Sequence, residues 1–294
     1  MYRPLGPAAV ALITGFDDEA GTGGIFQLDD GRVERLDDLA STGLAVQNDT
    51  LARVLRASDE ETTAELLLYG PEGLRSAHRV HGAPDPHDLV WTDAGLAMVA
   101  AGANKIVSIS ADGHVTDVWV APGEGDAWHL NSLLLVGGDL HVSAFGRFDT
   151  HREWTAADLS SSGFVMNIAT GVDVVTRLTC PHHPRRLEDG WLVCNSAPGE
   201  LLRFDMRTGE VFRTSLEGWT RGVALLDDVV LVGESRNRKE PQTASATVAV
   251  VDRTSWETIG RIEVPIREIY DIVVVPRALA AGVTAAKGQI RAGR

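Results

Sequence analysis

Residues 87–122 read HDLVWTDAGLAMVAAGANKIVSISADGHVTDVWVAP, and their punctuation decides the fold. HDLVW is a short apolar run, TDAG a turn and LAMVA a second run. AGAN connects to KIVSIS, ADG turns again, and VTDVWV is a fourth run. Short β-rich runs separated by tight turns rich in Asp and Gly are hairpin chemistry. Four of them in succession make one four-stranded antiparallel blade of a β-propeller.

The same order recurs on both sides of that stretch, with a repeat of about 46 residues, within the range of such arrays. Upstream, TGLAV and TLARVL flank QND, and ELLLYG and LRSAHRV flank PEG. Downstream, NSLLLV–LHVSAF, RRL–WLVCNS and RGVALL–VVLVGES each open a further unit. The N-terminus holds three runs only, AVALITGF, GGIFQLD and RVERLDD, and YDIVVVP at residues 270–276 supplies the fourth. A C-terminal strand completing an N-terminal blade leaves no exposed edge. The sequence therefore predicts an all-β, single six-bladed β-propeller over residues 1–276, with four-stranded antiparallel blades. Residues 277–294, RALAAGVTAAKGQIRAGR, show no strand pattern and read as a mobile tail. Paired β-sandwiches use strands of similar length but predict no fixed four-strand unit.

Composition narrows the partners. The 294-residue chain has a formal net charge of -14, which argues against nucleic acid, because phosphate binding needs a basic footprint. No run reaches the roughly 20 apolar residues of a membrane span. The N-terminal apolar patch ends in acids and lacks the features of a signal peptide. Two cysteines, Cys180 and Cys194, give no disulfide framework. These features predict a cytoplasmic protein with reduced thiols.

Aligning the units on their first turn places Thr42, His87, Asn131, His182 and Arg221 where each innermost strand begins, with Tyr270 or Asp271 in the closing blade. The register holds to about one residue, so His183 competes with His182 and Asp88 with His87. In a propeller such positions ring one mouth of the central channel. The loops on that face add Asn195, Arg236, Arg238, and an insertion carrying His151, Arg152 and Trp154. His129 lies just before the fourth unit's strand. The stretch CPHHPRR at residues 180–186 concentrates two histidines and two arginines, and its prolines mark a segment between strands.

Innermost strands can begin polar simply because they meet channel water, which accounts for Thr42 and Asn131 better than for His87, His182 and Arg221. A cationic mouth on an acidic chain focuses its field on an anion, and arginine clamps carboxylates well. The expected substrate is thus a small anionic, carboxylate-bearing metabolite. Catalysis falls to His182, His87, His183 and Arg221. Substrate binding falls to Arg185, Asn131, His129, Arg236, Arg238, Asn195, Trp154 and Tyr270. No nucleophile elbow, zinc helix, phosphate loop or dinucleotide fingerprint is present. Cofactor-free acid–base chemistry of lyase, isomerase or cyclase type is the leading expectation. Alternatively, His87, His182 and Asp271 hold a divalent metal for a hydrolase or lactonase, or the propeller binds a ligand or protein without catalysis.

WHLNS (128–132), SAFG (143–146), PHHPR (181–185), NSAPGEL (195–201), RGV (221–223) and VGESRNR (232–238) together resemble an uncharacterised bacterial β-propeller family of conserved hypothetical proteins. The resemblance spans about residues 128–276. Members look like P-H-S-P-R where this chain has His183 in place of Ser. The resemblance implies the propeller fold and favours His182 as the shared functional position. It implies no reaction.

Overall fold

The computed structural model describes residues 5–17, 23–56, 62–236 and 244–292, with side chains through Lys287. Among the described residues, twenty-four strands form six four-stranded antiparallel sheets, the blades of a six-bladed β-propeller. The first blade holds β1 (Ala9–Phe16), β2 (Gly23–Asp29) and β3 (Arg32–Asp37); the second holds β4 (Ser41–Gln47), β5 (Thr50–Leu55), β6 (Thr63–Gly70) and β7 (Gly73–His81). The third holds β8 (Pro86–Thr92), β9 (Gly95–Ala100), β10 (Lys105–Ile109) and β11 (Val115–Val120). The fourth holds β12 (Leu130–Val136), β13 (Asp139–Ala144), β14 (Gly163–Asn167) and β15 (Asp173–Leu178). The fifth holds β16 (Pro181–Arg186), β17 (Gly190–Asn195), β18 (Glu200–Asp205) and β19 (Val211–Ser215). The sixth holds β20 (Trp219–Leu225), β21 (Val229–Ser235), β22 (Ala246–Asp252) and β23 (Thr258–Val264). β24 (Glu268–Pro276) pairs antiparallel with β1 and completes the first blade, as the sequence predicts. No helix among the described residues is long and apolar enough to cross a membrane.

The chain forms two compact units: Met1–Leu55 with Leu66–His78 and Leu216–Arg294, and Arg56–Glu65 with Arg79–Ser215. In the first unit, Val10, Leu12, Ile25, Leu51, Leu67 and Tyr69 pack with Leu279, Ala280, Val283 and Ala286. Those last four residues belong to an α-helix, α1 (Arg277–Ala292). The mobile-tail expectation is therefore corrected. The segment lacks period-2 alternation because its apolar residues recur at helical spacing, and that face is buried. In the second unit, Ala97, Val99, Ile106, Trp128, Leu130, Leu133, Val142 and Phe164 form a core between the third and fourth blades.

All six innermost strands are irregular at one equivalent place. Their pairing slips between Ser41 and Leu44, Pro86 and Leu89, Leu130 and Leu133, His182 and Arg185, and Arg221 and Val223, and opposite Thr14–Gly15 in β24. A bulge frees backbone N–H groups from the ladder, and they need other acceptors. Asp88 accepts from its neighbour Leu89 at 2.8 Å and from Leu133 of the fourth blade at 2.9 Å. Asp271 does the same for Ile272 at 2.7 Å and Leu44 of the second blade at 2.9 Å. The Ser132 hydroxyl accepts from the His183 N–H at 3.0 Å. The bulge also explains CPHHPRR. Pro181–Arg186 is itself the innermost strand of the fifth blade, not a segment between strands. Pro184 lies within the slipped stretch, where its missing N–H removes no ladder bond, and His183 takes a left-handed φ of 45°.

Candidate active site

In the second unit, the bulges of the third and fourth blades bring His87, His129 and Asn131 together. The Asn131 side-chain N–H donates to the His129 carbonyl at 2.8 Å, which fixes its amide orientation and turns Oδ1 towards His87 Nδ1 at 3.1 Å. His87 Nε2 lies 3.3 Å from an Asp85 carboxylate oxygen. Burial, the largest influence on Asp85, pushes its carboxyl up, but the charge and hydrogen bond of His87, with His129 and Arg56, bring it down to about 2.

His129 stands just before β12 with a left-handed φ of 50°. Its Nδ1–H donates to the Asp126 carboxylate at 2.9 Å. That leaves Nε2 without a hydrogen-bond partner among the described residues, and His129 is 8% exposed. The ring packs against Trp154 at a centroid distance of 4.0 Å and Phe145 at 4.4 Å, and meets His87 in a T-shaped contact at 5.1 Å. Burial, the largest influence, pushes its pKa below 6.5, and the opposing pull of Asp126 does not restore it. His129 is thus a neutral imidazole with a bare Nε2, beside His87, whose two ring nitrogens face Asn131 and Asp85.

His182, from β16, lies on the Phe145 ring at a centroid distance of 5.5 Å. Its Nδ1 contacts the Cys180 carbonyl at 3.0 Å and the Ser196 hydroxyl at 2.7 Å, and the residue is 1% exposed. His183 lies with its Nδ1 3.4 Å from the Ser132 hydroxyl, at the junction of the fourth and fifth blades. Within this unit, no group of three described His, Cys, Asp or Glu residues brings its ligand atoms within 4.8 Å of one another. His87 and His182 therefore do not gather a metal-ligand set among themselves and their described neighbours.

The remaining expected residues lie elsewhere. Arg185 donates to the carbonyl of Pro184 at 3.0 Å. Asn195 shapes the turn after β17, accepting from Thr179 at 2.6 Å and donating to Glu200 at 2.8 Å. Arg221 and Tyr270 belong to the first unit, where the Arg221 guanidinium lies 3.6 Å from Glu268 and 4.6 Å from the Tyr270 ring centre. Asp271 also belongs to the first unit, where it accepts the backbone N–H groups of Ile272 and Leu44. Arg236 donates through Nε to the Ser245 carbonyl. Arg238 falls outside the described residues. Sequence reasoning missed Asp85, Asp126 and Phe145. The signal for the two acids was local: each precedes a site histidine by two or three residues, in DPH and DAWH.

A family model for a domain of unknown function, DUF4915, matches residues 52–283. The chain belongs to this family. A comparison with curated proteins gave no match. Among solved structures, the DUF4915 chain is similar to a Bacteroides fragilis protein provisionally named a 6-phosphogluconolactonase, with 12% identity, TM-score 0.62, and coverage of 92% of this chain and 98% of that one. It is similar to a chain of a nidogen–laminin complex at 8% identity, TM-score 0.65, covering 90% and 98%. It is also similar to a protein provisionally named a gluconolactonase at 14% identity, TM-score 0.56, covering 81% and 83%. Likeness at such low identity establishes the propeller fold and leaves function to the site.

Proposed function

We propose that this DUF4915 protein is a small-molecule enzyme using cofactor-free acid–base chemistry of the lyase or isomerase type. His129 is the base and His87 the acid. The observation that carries the reading is the Asp126–His129 pair, which holds the proton on Nδ1 and presents the bare Nε2. A base takes a proton from carbon or oxygen through that nitrogen, and His87, its ring centre 5.1 Å away, returns one or hydrogen-bonds the developing oxyanion. Arg185 and Arg221 already have acceptors of their own, so the reading rests on the histidines rather than on an arginine clamp.

Lactone hydrolysis is the second reading, with His129 activating water. It is favoured by the names of two fold relatives, a 6-phosphogluconolactonase and a gluconolactonase. Isotopes separate the two. Incubation of the protein with a panel of hydroxy- and keto-acids and lactones in D2O should place deuterium on substrate carbon if the first reading holds. In H2(18)O, label should enter a carboxylate if the second holds. His129→Ala should lower either turnover by roughly 10²–10⁴-fold. Unchanged turnover in His129→Ala would remove His129 from the chemistry.

A further inference from the structure

Between β13 and β14 the chain makes an insertion, residues 145–162, that adds no strand to the blade. It includes a 3-10 turn, Glu153–Thr155, held by the Glu153 carboxylate, which accepts from the backbone N–H groups of Asp149 and Thr150, each at 3.2 Å. The insertion converges on Asp126. The N–H of Arg152, a residue with left-handed φ of 55°, donates to the Asp126 carbonyl at 3.0 Å. The Asp126 N–H donates to His151 Nδ1 at 3.1 Å. The Trp154 indole N–H reaches the Asp126 carbonyl at 3.1 Å and a carboxylate oxygen at 3.2 Å.

Asp126 is 1% exposed, and a buried carboxylate needs donors. Among the described residues its carboxylate has two: the His129 Nδ1–H and the Trp154 indole N–H. The same indole ring lies against the His129 ring at 4.0 Å. Trp154 therefore holds the acid and the imidazole at once.

We propose that Trp154 is a positioning residue of the Asp126–His129 pair, fixing the carboxylate so that His129 keeps its proton on Nδ1 and presents Nε2. Its consequence for turnover rests on the acid–base reading; its structural claim does not. A buried carboxylate that fixes a histidine tautomer is a known device of acid–base sites. Here the carboxylate is itself held by an indole. Trp154 thus supports the base, where the sequence placed it in substrate binding.

The test reads the histidine directly. In the full chain with (15)N-labelled histidine, ring proton–nitrogen correlations should show His129 as one tautomer, Nδ1–H with Nε2 bare. Trp154→Phe keeps an aromatic ring against His129 but removes the donor. It should abolish the single tautomer and give a mixture, with the backbone amide spectrum otherwise unchanged. An unaltered Nδ1–H tautomer in Trp154→Phe would overturn the proposal. Should that variant fail to fold, the wild-type indole proton of Trp154 serves instead. It should exchange slowly with solvent and move on Asp126→Asn, and a fast-exchanging, unaffected indole proton would overturn the proposal equally. Turnover surviving in His129→Ala defeats the acid–base reading alone, since neither spectrum depends on a substrate.

Discussion

Gly282, on the docked face of α1, gives a test whose sign decides whether the helix is integral to the fold. A Cβ built there would lie 1.9 Å from the Gly70 carbonyl oxygen, whereas real Cβ atoms essentially never come within 3.0 Å of such an atom. The helix must retreat by about 1.1 Å, the difference between those distances, against backbone that cannot swing aside. In an undocked helix, Gly→Ala gains about 0.8–1.0 kcal/mol from propensity. Overpacking of a docked face costs about 1–3 kcal/mol. If the helix lifts off, Leu279 and Val283, each 1% exposed, surrender about 1.5–3 kcal/mol apiece. Gly282→Ala should therefore lower stability by up to about 2 kcal/mol where the helix shifts, and by more where it detaches. Thr284→Ala, on the exposed face of the same helix, should be neutral or stabilise by a few tenths of a kcal/mol. Urea unfolding midpoints of the two variants, followed by far-UV circular dichroism, make the comparison. A Gly282→Ala protein more stable than wild type by about 1 kcal/mol would mean the helix is undocked.

Four further outcomes follow from named contacts. Arg53, fully buried, gives its guanidinium to Asp37 (2.8 Å from Nη2), so Asp37→Ala should destabilise by about 3–5 kcal/mol, and a loss under about 1 kcal/mol in urea titration would contradict this. A chain ending at Arg267 lacks β24 and should aggregate or unfold; a monodisperse, fully folded product on size exclusion would refute the closing role of that strand. His129 has its pKa lowered by burial, so the unfolded chain binds its proton first. The stability it contributes is full above about 6.5 and falls as pH drops below that, and His129→Gln should flatten the decline in a pH series of urea midpoints. Cys180 and Cys194 are both buried and in no disulfide, so a thiol reagent should find two thiols only after denaturation; rapid labelling of the native protein would contradict their burial.

The propeller was legible because five of its six blades are local: their four runs and three turns lie within one repeat. So was the equivalent position on each innermost strand, because every blade places its bulge shortly before its first turn. Thr42, His87, Asn131, His182, Arg221 and Tyr270 all fall within or beside it. What each residue does at that place was not legible, because its partners come from other blades or other loops. Asp271 reads as a possible metal ligand in sequence, but its acceptance of the Leu44 N–H of the next blade, like that of the Leu133 N–H by Asp88, has no local signature. Arg221 looks like a free cation until Glu268 lies beside it. The amphipathic face of α1 was hidden by six alanines and three glycines among the last 18 residues, a composition that reads as low in order until a core is there to receive it. The sequence by itself determined the repeat, the closing strand and the candidate histidines, since those depend on spacing along one chain. Only the tertiary structure decided that Trp154 and Asp126 meet at His129. Asp126 and Trp154 stand 28 residues apart with two strands of the fourth blade between them, and no local pattern encodes how that hairpin returns the indole to the acid.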